Sequence, residues 1–174
     1  MSDFDRAPVQ FAIYKGINGK NGVLQFDLKP FDADRVEEEM DQKEKKRAKK
    51  GAVFIDAAKA IGESVYDYKN GIKFAMSETD IAEFLVGTNK LKEENDELVS
   101  IYHKIERDGK TQSKSLRVKQ GRPDKTGLPT FMVSLSANNG NKAEDKFVTV
   151  PMSTTEMFAL RSLLTAAIPR ILGW

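Results

Sequence analysis

Lys146-Phe147-Val148-Thr149-Val150-Pro151-Met152-Ser153-Thr154-Thr155-Glu156-Met157 changes period in the middle. Up to Val150 polar and apolar residues alternate, the pattern of a strand with one buried face. After Pro151 the run Ser153-Thr154-Thr155-Glu156 has the form of a capping box, with Glu three residues after Ser. Met157, Leu160, Leu163, Leu164 and Ile168 then recur at helical spacing, and Pro169 is expected to stop the helix. The same sentence occurs earlier in the chain. Ile72-Lys73-Phe74-Ala75-Met76 alternates, Ser77 is a good N-cap, and Ile81, Phe84 and Leu85 follow at i, i+3, i+4 until Gly87.

Working outward, strands precede each of these strand-to-helix junctions. Gln10–Lys15 and Val23–Leu28 alternate around the turn residues 18–22 and read as a hairpin. Ala52–Ile55 is a third strand, and Val65–Tyr68 with Ile72–Met76 reads as a hairpin around Asn70-Gly71. Leu98–Ile105, Lys114–Gln120 and Thr130–Ala137 lead to Lys146–Val150. The chain thus repeats one plan, about four strands and a capped helix, over residues 9–86 and again over 98–174. Two such sheets bury one another. The expected class is α+β with β dominant, two four-stranded antiparallel sheets each followed by a helix, in one domain over residues 1–174.

Residues 37–50 stand apart: eleven of the fourteen side chains are charged, acidic first and basic after. That composition buries too little apolar area to offset the ordering of its backbone, so the segment is expected to lie outside the sheets.

Composition narrows the function. The 174 residues include no cysteine and one histidine, which removes disulfide frameworks, thiolate metal sites and a cysteine nucleophile. No Walker loop, zinc spacing or nucleophile elbow occurs, and the carboxylate pairs fall in linkers, so no enzyme chemistry, cofactor or metal is expected. No apolar run is long enough for a membrane span. The acidic start, Met1-Ser2-Asp3-Phe4-Asp5-Arg6, has the character of neither a secretion signal nor a transit peptide, and an intracellular protein is expected. The formal charge of +2 is unevenly spread: residues 1–98 carry 16 basic and 20 acidic side chains, residues 99–174 carry 12 and 6. A basic half fits a polyanionic partner, and it equally fits ordinary solvated lysines.

Strand parity then sorts the side chains. Tyr102 and Lys104 share one face of their strand, with Val99, Ile101 and Ile105 on the other. Arg117 and Lys119 face away from Leu116 and Val118. Tyr14 shares a face with Ala12, and Lys15 with Phe11 and Ile13. A single-strand binder needs such cations for phosphates and aromatic surfaces for unstacked bases, although any soluble β protein also alternates lysines. His103 falls on the apolar face of its strand, which suits a satisfied rim histidine better than a ligand or general base. Gly19-Lys20-Asn21-Gly22 has the form of a phosphate-clamping loop and reads more simply as a turn.

The blocks Tyr14-Lys15-Gly16 with Gly19-Lys20, Gly51–Ile55, Tyr66–Tyr68, Phe74–Ile81, Ser115–Lys119, Thr130–Asn139, Val148–Met157 and Ile168-Pro169-Arg170-Ile171-Leu172-Gly173-Trp174 resemble, in this order, the plant Whirly proteins. The resemblance covers roughly residues 11–174. It implies two antiparallel sheets packed at a steep angle, a four-fold assembly through the helices, and binding of single-stranded DNA in replication, recombination, repair or transcription. RNA binding, and an oligomeric scaffold without nucleic acid, are the alternatives. The candidate contacts are Tyr14, Lys15, Lys20, Tyr102, Lys104, Arg117, Lys119 and Phe131. Met157, Leu160, Leu164, Ile168, Ile171, Leu172 and Trp174 offer more apolar surface than one helix can bury in its own subunit. They are the expected interface of a homo-oligomer, a tetramer on the resemblance. The long insert and the acidic start, which depart from the plant pattern, point to a bacterial or viral member.

Overall fold

A computed structural model describes residues 10–15, 22–30, 51–90, 92–107, 110–138 and 146–173. The insert at 37–50, Lys20 and Trp174 lie outside them.

The first sheet comprises β1 (Gln10–Tyr14), β2 (Gly22–Lys29), β3 (Ala52–Gly62), the two-residue β4 (Val65–Tyr66) and β5 (Ile72–Met76). The order is β1-β2-β3, with β4 and β5 pairing successive stretches of the far side of β3, all antiparallel. The expected Val65–Tyr68/Ile72–Met76 hairpin does not form. Asp67 instead caps a 3-10 turn at Tyr68–Asn70, accepting from the Asn70 N–H, and this turn carries the chain from β4 to β5. The third strand is also longer than Ala52–Ile55: Asp56 and Ala57 pair on both sides, Ala58 and Lys59 with β2, and Ala60 and Gly62 with β4. At Gly22 the β2 backbone comes so close to β3 that a Cβ would sit 2.4 Å from the Ala58 carbonyl oxygen, which requires glycine there.

The helix α1 (Glu78–Gly87) follows β5, and Ser77 and Asp80 complete its capping box. The second sheet is a meander of β6 (Glu97–Arg107), β7 (Lys110–Gly121), β8 (Thr130–Asn138) and β9 (Lys146–Ser153). It leads into α2 (Thr154–Leu172), capped by Ser153 and Glu156. This helix does not stop before Pro169. Ile171 is fully buried and anchors the last turn, its carbonyl accepts from the Gly51 N–H at 3.0 Å, and Gly173 closes the helix in the left-handed conformation.

The inward faces of both sheets and one stripe of each helix share a core: Leu24, Ile55 and Phe74 from the first sheet, Leu116, Leu135 and Met152 from the second, Ile81 and Phe84 from α1, and Met157, Leu160 and Leu164 from α2. Each sheet has one face turned outward.

Candidate nucleic-acid interface

The outward face of the second sheet is built by alternation and read by register. Tyr102 on β6 pairs with Ser115 on β7, Ser115 with Ser136 on β8, and Ser136 with Phe147 on β9. One row across four strands therefore begins and ends on an aromatic ring, and both rings are well exposed, Tyr102 at 61% and Phe147 at 55%. At about 4.8 Å per strand spacing the row is roughly 14 Å wide. The adjacent row is Ser100, Arg117, Ser134 and Thr149. Ser115 and Ser136 join through their hydroxyls at 2.8 Å, and Ser134 joins Thr149 at 2.9 Å. Because these residues are short, they leave a trough of about 240 Å³ bordered by Arg117 and Phe147.

Charge around the trough is positive and lightly neutralised. Arg117 is exposed and approaches Glu97 only to 3.9 Å; Lys104 meets Glu106 at 2.9 Å. Both pairs are solvent-exposed, and such pairs contribute about 0–1 kcal/mol. A phosphate can displace them cheaply. Lys119 is exposed on the same face.

The structure thus brings Tyr102, Lys104, Arg117 and Lys119 together on one surface. Three other expected contacts lie off it. Phe131 is 3% exposed and packs in the core, since it shares parity with Val133 and Leu135. Lys15 continues the inward parity of Ile13, and its Nζ meets Glu156 Oε1 at 2.7 Å. Burial acts to raise the Glu156 carboxyl, but hydrogen bonds from Lys15 and Ser153 outweigh it and hold the group below its ordinary value. Tyr14 is exposed, but on the outward face of the first sheet, where its ring meets Tyr66. Phe147 was missed by sequence reasoning; its parity with Thr149 was the available signal.

His103 is a satisfied histidine. Its ring stacks on Phe74 at 4.5 Å between centroids, and Nε2 reaches the Asp80 carboxylate at 3.2 Å, joining β6 to the start of α1. Among the described residues no group of three His, Asp or Glu side chains is placed to hold a metal, and no helix is long and apolar enough to cross a membrane.

The expected oligomer contacts also shift. Met157, Leu160, Leu164 and Ile171 are buried inside the chain itself, and Ile168 packs against the same core. The apolar side chains that α2 leaves in solvent are Phe158, 69% exposed, and Leu163, with Val86 exposed on neighbouring α1.

Known proteins share this fold. The family model described as Whirly transcription factor matches residues 25–163. The mitochondrial single-stranded DNA-binding protein WHY2 of Arabidopsis thaliana is 29% identical over 130 residues, 72% of this chain and 50% of that protein. The chain therefore spans about half the length of that relative. The crystal structures of WHY1 and WHY3 from Arabidopsis thaliana each superpose with a TM-score of 0.68 over 97% of this chain, covering 88% and 91% of theirs at 20% and 22% identity. At that identity the likeness establishes the fold. The relatives are plant proteins, and the bacterial or viral source expected from the sequence gains no support from them.

Proposed function

The chain belongs to the Whirly family, and from that membership and the face just described we propose that it binds single-stranded DNA, largely without regard to sequence, and is not an enzyme. The observation that carries this reading is the row Tyr102–Ser115–Ser136–Phe147 beside Arg117. Two rings can stack against bases of any identity, each stacked base contributing about 1–3 kcal/mol. Arg117, Lys119 and Lys104 take phosphates between and beside them. A duplex hides its base faces and gains only the phosphate contacts, so it binds more weakly.

We further propose that the protein is a closed homo-oligomer, a tetramer, assembled through the apolar side chains its helices leave exposed, Phe158 and Leu163 on α2 and Val86 on α1. An apolar face rimmed by polar groups such as Ser162 and Thr165 is what such an interface needs.

The functional reading is tested by fluorescence anisotropy with single-stranded DNA, the matching duplex, and an RNA strand of the same sequence, at two salt concentrations. Single-stranded DNA should bind tightest, with affinity falling as salt rises. Equal affinity for duplex would contradict it. A preference for the RNA strand would reassign the polymer while keeping the site.

A further inference from the structure

We propose that Asn70 is a modification site of this protein: a latent deamidation site, held unreacted by Asp67, whose product opens the turn between β4 and β5.

Asparagine is a chemically labile residue, and most so before glycine. The nitrogen of the following residue attacks the side-chain carbonyl carbon, forming a new C–N bond. The bond to the side-chain NH2 breaks, and ammonia leaves with the proton of the attacking nitrogen. Water then opens the five-membered imide at either carbonyl, giving aspartate or isoaspartate. Glycine permits the attack because no Cβ shields its nitrogen. The sequence holds four such pairs, beginning at Asn18, Asn21, Asn70 and Asn139, and Asn70-Gly71 is the one with both residues among those described. Asn70 is exposed to water. Packing imposes the glycine, since a Cβ there would lie 2.9 Å from the Ala57 carbonyl oxygen and 3.1 Å from that of Tyr68. A bulkier and slower neighbour does not fit.

The turn holds both halves of the reaction apart. Asp67 Oδ2 accepts from the side-chain Nδ2 of Asn70 at 2.9 Å, and Oδ1 accepts from its backbone N–H at 3.2 Å. The Gly71 N–H, which carries the attacking nitrogen, donates to the Tyr68 carbonyl at 3.1 Å. The clamp is itself fixed to β3, because the Asp67 N–H donates to the Lys59 carbonyl at 2.9 Å. Ring closure needs the Asn70 side chain to swing toward Gly71 and the Gly71 nitrogen to give up its proton. Asp67 withholds the first and the turn's own hydrogen bond the second. The side chain and then the N–H of Asn70 hold the Asp67 carboxyl below its ordinary value, so the clamp is ionised at neutral pH. Reaction is left to the fraction of molecules in which this exposed turn has opened locally, without global unfolding.

Deamidation is one-way. It replaces the Nδ2 donor by a carboxylate oxygen, so two negative charges face each other where a hydrogen bond stood. The 3-10 turn Tyr68–Asn70 loses the partner of its cap, and the departed ammonia does not return. The chain thereby carries a record of how often the turn opens.

Peptide mapping by mass spectrometry, which separates Asn, Asp and isoAsp forms, tests the lock during long incubation at mildly alkaline pH. In the folded wild type Asn70 should convert at least about tenfold more slowly than in the same chain denatured in urea, the factor that a hydrogen bond to a charged group supplies. Asp67→Ala should speed conversion in the folded protein about tenfold, and Asp67→Asn, which keeps an acceptor oxygen without the charge, by less. Asn70→Gln, whose longer side chain would have to close a six-membered ring, should show no conversion and so identifies the peptide. Melting temperatures establish that each variant is folded, and Asp67→Asn carries the comparison if Asp67→Ala is not. A wild type that converts as fast folded as denatured, or a folded Asp67 variant no faster than wild type, would overturn the lock. Asn70→Asp reproduces the product. Its Gly71 amide should exchange with solvent about tenfold faster than in the wild type while the Ile55 amide in the core is unchanged; an unchanged Gly71 amide would overturn the opening of the turn.

Discussion

Lys15 Nζ lies 2.7 Å from Glu156 Oε1, so the last turn of inward parity on the first hairpin is tied to the first turn of α2. A lysine near a hairpin tip suggests a phosphate contact; this one closes the molecule instead. Lys15→Met should cost less than about 1 kcal/mol, because the pair is only half-buried, and should leave affinity for single-stranded DNA within about twofold. Chemical denaturation with parallel anisotropy checks both.

The same pair sets a pH dependence. The Glu156 carboxyl is held below its ordinary value when folded, so its contribution is fully present above the unfolded value and is lost as pH falls through the folded one. The stability gap between wild type and Lys15→Met should therefore be constant from neutral pH down to about 5 and shrink below about 4. A gap that widened in acid would contradict the assignment.

Arg117→Ala with Lys119→Ala should flatten the dependence of log affinity on log salt by about 1.4, at ~0.7 per phosphate contact on single strands. Both side chains are exposed, so the melting temperature should stay where it is. An unchanged slope would move the phosphate path off this face.

Tyr102 and Phe131 separate binding from folding. Tyr102→Ala should weaken single-strand binding about tenfold with stability unchanged. Phe131→Ala should cost about 3–5 kcal/mol of stability through the cavity it leaves in the core, and at temperatures where the variant is folded its affinity should match the wild type. The reverse pattern would place the binding face on the wrong side of the sheet.

Much of this was legible from period alone. The alternation in Leu98–Ile105, Lys114–Gln120 and Thr130–Ala137, the N-cap Ser77 and the capping box at Ser153–Glu156 place the second sheet and both helix starts correctly. Parity also held the correction for Phe131 and Lys15, since both continue the apolar positions of their strands. Other features depend on tertiary context. Asp56-Ala57-Ala58-Lys59-Ala60 is rich in helix formers, and pairing with neighbouring strands along its length keeps it extended. Pro169 stays helical because Ile171 is drawn into the core beyond it. The meeting of Tyr14 with Tyr66 joins residues whose proximity no local pattern encodes.

Phe158 is the most exposed of the large apolar side chains described, and the proposed assembly turns on it. Phe158→Glu should leave the fold intact, because the side chain touches solvent, and should reduce the mass seen by light scattering at micromolar concentration from about four chains to one. A wild type that is already a monomer there would contradict the assembly.

Photo-crosslinking reads the central claim most directly. A single-stranded oligonucleotide carrying one 5-iodo-deoxyuridine is irradiated with the protein, and the attached peptides are sequenced. Crosslinks should fall on Tyr102 and Phe147, at the two ends of the row across the second sheet. Crosslinks confined to the helix face around Phe158, with none on the second sheet, would contradict the account.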